Sequence, residues 1–367
     1  MNAPDIKSIK TIIELPRSEN NPRNSEGDFA LLNDGSILFA YSRYSGSSAH
    51  DDASCDIAAL ISYDGGSTFK PLDRFLATAK EHNTVNIMSV SLHRLIDGTL
   101  CLFYLCKRGP YSEVYIKRAD KNDETVFGDP ELCIPKQNGI YYVINNCRIC
   151  VLSDGKILIP AAQHPIKKGN DGHKHGIYFG YCKIFAGEPD GTVWKAQSGN
   201  IRMPYPGHSG TGLQEPGLVE LPDGRLYAYF RTDRHFQYES FSTDEGKTWT
   251  KPVPSQFTSP DSPMLILRNP YSGIYYSLWN PVPNYNGRLD KEKRWLSAGR
   301  TPLVIAQSET GTDFGSYTVL EDAPDHGFCY PAIHFLNEKE MLISYCCGGE
   351  EDGMCLTRTK IIKLTLN

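Results

Sequence analysis

Apolar residues along this chain fall in short runs: "SILFAYSR", "TLCLFYLC", "KILIPAA", "RLYAYFR", "IYYSLWN" and "MLISYCC". Each is β-branched or aromatic, and no segment sustains the period of an amphipathic helix. Each run also follows a polar turn phrase, so each is predicted to be a strand entered from a hairpin. The phrases are "LNDGS" (Asp34-Gly35), "LIDGT" (Asp97-Gly98), "LSDGK" (Asp154-Gly155), "LPDGR" (Asp223-Gly224), "PYSGI" (Ser272-Gly273) and "LNEKE" (Glu338-Lys339). Asp-Gly between apolar runs is a strong hairpin signal, because a tight turn needs positive φ there. The last two phrases are degenerate copies.

The glycine positions and their stand-in are separated by 63, 57, 69, 49 and 66 residues. A repeat of that length with several strands per unit predicts an all-β, six-bladed β-propeller with four-stranded antiparallel blades. No linker or charge run divides the chain, so residues 1–367 are expected to form one domain. Two stacked sandwiches account less well for the spacing.

A second phrase recurs within the units. "SYDGGSTF", Ser62 to Phe69, returns as "STDEGKTW", Ser242 to Trp249, with weaker echoes at Arg118 to Phe127, Glu188 to Trp194 and Ser308 to Phe314. Its Asp accepts local backbone hydrogen bonds, its Gly takes the special dihedral and its aromatic packs beneath the turn. It is expected to be a staple without chemistry of its own.

The strand before each hairpin should line the central channel. Counting eight back from the turn Asp or its stand-in gives Glu26, Ser89, Asn146, Glu215, Met264 and Tyr330. Five of these can hydrogen-bond, so one ligand could be reached from several blades. Arg231 ends the apolar run of the fourth unit and Arg300 precedes that of the fifth. Asp51, Asp52 and Asp56 lie in a Ser-rich stretch before the first box. Asn145, Asn146 and Arg148 in "INNCRIC" are further candidates for the pocket wall.

Twenty-two per cent charged residues, 40% hydrophobic residues, a net charge of -5 and a pI near 6.1 describe an ordinary globular chain, with no basic character to call for nucleic acid. No apolar span reaches the length of a membrane helix or a signal-peptide core. A cytoplasmic location is expected as the sequence stands, or a secreted or periplasmic one if a leader has been removed. The eleven cysteines are odd in number and irregularly spaced, which points to buried free thiols. His50, His164, His208 and His334 have no metal-ligand spacing, and no cofactor is implied.

From about residue 20 to 365 the chain resembles the sialidase (neuraminidase) superfamily of Asp-box glycoside hydrolases, on its two boxes and the ordered set Glu215, Arg231, Arg300 and Tyr330. The resemblance implies Tyr330 as nucleophile, Glu215 as its base, and Arg231 and Arg300 as two of three arginines that hold a substrate carboxylate. Asp51 or Asp52 would be the acid/base. The family's first arginine sits in an Arg-x-Pro phrase on the first inner strand. This chain has "NSEGDFALL" there, so Glu26 or Gly27 takes that place and Arg23 lies just upstream. The implied substrate is a glycan or sialoside, cleaved with retention. Alternatives are a uronate or ketodeoxy sugar, an elimination using Tyr330, or a non-catalytic glycan-binding propeller.

Overall fold

The computed structural model of the protein describes residues 1–168, 174–176, 179–283 and 299–367. The strands form six sheets around a ring, as the hairpin repeat predicts. Blade one runs from its inner strand Asn24–Leu31 through Ile37–Tyr44 and Cys55–Ser62 to Lys70–Pro71. Blade two begins at Ile87–Arg94, blade four at Gln214–Glu220, blade five at Leu265–Arg268 and blade six at Cys329–Phe335. Blade three follows the path Ile140–Val143, Ile157–Lys168, Tyr181–Gly187, Lys195–Ala196, with two extra short strands on its second. Blade six takes its outermost strand from the other end of the chain: Ile6–Leu15 pairs antiparallel with Thr359–Leu366 and closes the ring.

Each blade packs between two neighbours, so its middle strands are covered on both faces. That explains why they read as continuous apolar runs rather than alternating ones: eight of the nine residues of Leu100–Arg108 are buried. Among the described residues, six hydrophobic clusters lie one at each seam between blades. The turns have the expected chemistry. Gly35, Gly98, Gly155 and Gly224 have φ between 81 and 87°, and Asp34 Oδ1 accepts from Ser36 N at 2.9 Å.

The two boxes lie between the third and fourth strands of blades one and four and contribute nothing to the cleft described below. Asp64 accepts from Ser67 N, Thr68 N and both neighbouring hydroxyls, at 2.7 to 3.0 Å. These bonds, the Thr68 hydroxyl foremost, pull its carboxyl down to about 2, and Asp244 is held the same way. Phe69 packs into the seam between blades six and one, and Trp249 into that between three and four.

Candidate active site

Four inner strands carry the same irregularity at the same register. Glu26, Ser89, Glu215 and Tyr330 have φ of 55, 60, 43 and 52°. Strand pairing slips across each: between Ser25 and Gly27, Met88 and Ser91, Gln214 and Gly217, and Cys329 and Ala332. A bulge leaves its extra residue unpaired and re-aims the side chain. A left-handed conformation costs a non-glycine residue about 1–3 kcal/mol and persists only where its surroundings enforce it. Here it recurs on four blades, and all four side chains line one cleft of about 1060 Å³.

Glycine follows the bulge where space requires it. A Cβ on Gly27 would stand 2.2 Å from the Phe39 ring, and one on Gly217 2.1 Å from the Tyr229 ring.

Tyr330 Oη donates to Glu215 Oε1 at 2.8 Å across the cleft floor. Burial first, then the Glu215 carboxylate, pushes the Tyr330 phenol well above its ordinary value, against the pull of Arg300 and Arg231. Arg231 Nη1 donates to the same Glu215 oxygen at 2.9 Å, and its Nε to Asp261 Oδ1 at 2.6 Å. The Arg300 guanidinium lies 5.4 Å from the Tyr330 ring centre, and its Nη1 donates to Cys329 Sγ at 3.3 Å. Its buried Nε has no partner among the described residues, and neither does Glu215 Oε2.

The opposite wall belongs to blade one. Arg23, fully buried, reaches Glu26 Oε1 at 3.0 Å and Asp51 Oδ1 at 2.5 Å, and donates its Nε to Ser25 Oγ at 2.8 Å. Ser89 Oγ completes the Glu26 carboxyl from blade two, donating to Oε2 at 2.9 Å. Burial raises Glu26 to about 7 in spite of Arg23, with Asp51 and Glu215 adding to the rise. Asp51 goes the other way: burial opposes its ionisation, but Arg23 and Lys107 outweigh that and hold it below the ordinary carboxylate range. Its side chain is deep in the cleft yet open to it, at 63% exposure. Lys107 bonds the Asp51 carbonyl and reaches Asp52 Oδ1 at 3.1 Å; Asn86 Nδ2 also donates to the Asp51 carbonyl, at 3.0 Å. The aspartate-bearing loop is therefore held from two blades.

Tyr330, Glu215, Asp51, Asp52, Arg231, Arg300 and Glu26 thus stand around one space. Arg23, Asn146, Arg148 and Met264 do not line it. Arg23 sits behind the wall, its charge spent on Glu26 and Asp51. Asn146 is turned inward, its amide donating to Gly27 O at 2.9 Å and Tyr330 O at 3.2 Å. The reason is that residues 144–149 form a turn between the short strands Ile140–Val143 and Cys150–Val151, not a continuous inner strand. In blade three the left-handed residue is Cys147, φ 55°, so the count that works on four other blades misses by one. Asn145 lines the cleft instead, while Arg148 bonds the carbonyls of Asn146 and Met264. Met264, on blade five, has no left-handed bend and is buried.

Sequence reasoning missed Asp261 and Lys107. Asp261 lies in "SPDSP", outside any repeat, with nothing local to mark it. Lys107 ends a buried run as Arg231 does, which was a usable signal. All eleven cysteines are free, as their spacing implied. Among the described residues the one grouping with metal-ligand chemistry is His326, Glu351 and Asp352, and Arg358 already pairs with both acids, at 3.4 and 3.0 Å. No helix among the described residues is long and apolar enough to cross a membrane.

A family model for the BNR repeat-like domain matches residues 73–341. The anhydrosialidase of Macrobdella decora is 29% identical over 146 residues, 37% of this chain and 18% of that protein, so the match spans about a fifth of the relative's length. A Dyadobacter fermentans protein of unknown function superposes with a TM-score of 0.71 at 17% identity, over 99% of this chain and all of that one. The Hadza microbial sialidase Hz136 superposes with a TM-score of 0.70 at 14% identity, over 94% of this chain and 66% of that one. At these identities the likeness is one of fold.

Proposed function

The chain belongs to the BNR repeat-like family of the sialidase superfamily, and from that membership and the geometry of its cleft we propose that it is a retaining exo-glycosidase releasing a terminal acidic sugar, sialic acid foremost. The observation that carries this reading is the 2.8 Å contact from the Tyr330 hydroxyl to Glu215 in the cleft floor. A phenol near its ordinary value is ionised to about one part in a thousand at neutral pH, and a buried one less, so it attacks only with a base in reach. Glu215 supplies that base. A neutral attacker also suits an anomeric carbon that bears a carboxylate, which an acidic nucleophile would repel.

In the first step the Tyr330 oxygen bonds to the anomeric carbon and its proton passes to Glu215 Oε1. The glycosidic bond breaks, and the leaving oxygen takes a proton from Asp52, or from Asp51 once that carboxylate has taken one up from solvent. In the second step that aspartate removes a proton from water, the water oxygen bonds to the anomeric carbon, and Tyr330 departs with the proton from Glu215. Two inversions give retention. Arg231 and Arg300, both on the cleft wall, orient the sugar carboxylate.

The test is release of fluorophore from an aryl α-sialoside by wild type, Tyr330→Phe and Glu215→Gln. Turnover by wild type that both variants abolish supports the reading. No turnover by wild type removes the sialic acid assignment. An unsaturated product absorbing in the near ultraviolet would move the chemistry to elimination.

A further inference from the structure

We propose that Glu26 sets the substrate's acidity requirement in this cleft: as a neutral carboxyl it donates a hydrogen bond to the sugar carboxylate held by Arg231 and Arg300, and as a carboxylate it expels that sugar. The inference rests on the acidic-sugar reading above and deepens it.

The argument begins with charge. Arg23 is one fully buried cation that serves two carboxyls, Glu26 at 3.0 Å and Asp51 at 2.5 Å. Asp51 also has Lys107 beside it, whereas Glu26 has Arg23 alone as a bonded cation, so of the two acids Glu26 is the less compensated. Exposure points to the same acid, because an enclosed group loses more hydration on ionising than an open one. The Glu26 side chain is 4% exposed and that of Asp51 63%. The proton therefore stays on Glu26, which accords with its rise to about 7 while Asp51 falls.

Of the other groups around Glu26, the nearby acids add to its rise and the Ser89 hydroxyl opposes it. Within blade one, Tyr44 and Cys55 are buried phenol and thiol, both pushed up and un-ionised. Blade two contributes the Ser89 hydroxyl, blade four the Glu215 carboxylate, and blade six the Tyr330 phenol and the Cys346 thiol. Arg23 is the cation bonded to Glu26, while Lys107, Arg231 and Arg300 line the same cleft without an ion pair to it among the described residues.

Position supplies the rest. Glu26 stands on the same bulge register as Glu215 and Tyr330 and lines the same cleft. A ligand carboxylate drawn in by Arg231 and Arg300 enters a space already holding the Glu215 carboxylate. A further anion there raises the proton affinity of Glu26, so binding takes up a proton whenever Glu26 starts ionised. A neutral sugar makes no such demand.

The experiment is calorimetric titration of wild type and Glu26→Gln with free sialic acid from about pH 5 to 9, each point in two buffers of different ionisation enthalpy. Wild type is expected to take up close to one proton per ligand near pH 8, with Kd weakening about tenfold per pH unit above roughly pH 7. Glu26→Gln, neutral at every pH, takes up none and holds its affinity flat from about pH 6 upward. Proton uptake is a readout that a merely structural role would not move, and the wild-type titration decides the matter by itself if the variant fails to fold. Wild-type binding without proton uptake, or the same pH profile in both proteins, overturns the role of Glu26 alone. No binding by either protein at any pH overturns the acidic-sugar reading, and this inference with it.

Discussion

Replacing Glu215 by glutamine probes how the phenol is activated. The substitution preserves shape, and Arg231 keeps its 2.6 Å bond to Asp261, so the blade-four wall stays anchored. What disappears is the acceptor, 2.8 Å away, that takes the Tyr330 proton. A positioned general base contributes roughly 10²- to 10⁴-fold, or about 3–5.5 kcal/mol on the barrier. Because burial holds this phenol well above its ordinary value, the loss is expected near the upper end. The assay is kcat at saturating aryl α-sialoside, so that any pH dependence of binding drops out, with thermal unfolding measured alongside. The pH profile adds a sharper test. Without its base, Tyr330 reacts through the small phenolate fraction made by solvent, so log kcat of the variant should rise with a slope near one from about pH 6 to 9. Wild type should show no such rise. Retention of more than about a tenth of wild-type kcat, or a parallel pH profile, would refute the assignment of Glu215 as the base.

Further expectations concern the loop acids, the bulge glycine and the buried imidazoles. Of Asp51→Asn and Asp52→Asn, the variant lacking the proton donor should lose roughly 10²-fold more rate on a natural sialoside than on an aryl one, whose phenol leaves unaided; equal losses on both substrates in both variants would place the acid elsewhere. Gly217→Ala should destabilise by about 1–3 kcal/mol in urea unfolding, because its Cβ overlaps the buried Tyr229 ring. Burial holds His93 and His334 at about 4, below their ordinary 6.5. The unfolded chain then binds more protons between those values, so stability should climb from about pH 4 to 6.5, and a His93→Gln, His334→Gln double variant should flatten that climb in denaturant titrations.

The ring was legible because its evidence is local. An Asp-Gly turn needs positive φ wherever it occurs, and six turn phrases spaced 49 to 69 residues apart mark six blades whatever their partners are. The register count reached Glu26, Ser89, Glu215 and Tyr330 for a related reason: equal offsets from equal turns stand at equal heights. It missed at Asn146 because the inner strand of blade three is broken by a turn there, with the left-handed residue at Cys147, so equal offsets no longer mean equal heights. The closing strand Ile6–Leu15 went unread too. It is a largely exposed edge strand, and its partner lies at the far end of the chain.

By itself, then, the sequence determined the all-β architecture, the six repeats and the list of chemical groups carried on the inner strands. These follow from turn stereochemistry and apolar pattern, which act over a few residues. Tertiary structure alone decided which groups meet and in what charge state. Arg23 finds Asp51 and Glu26, Arg231 finds Asp261, and Tyr330 finds Glu215 across 115 residues of sequence. Burial and charge pairing are properties of neighbours in space, so the raised Glu26 carboxyl and the lowered one of Asp51 exist only once the blades have closed.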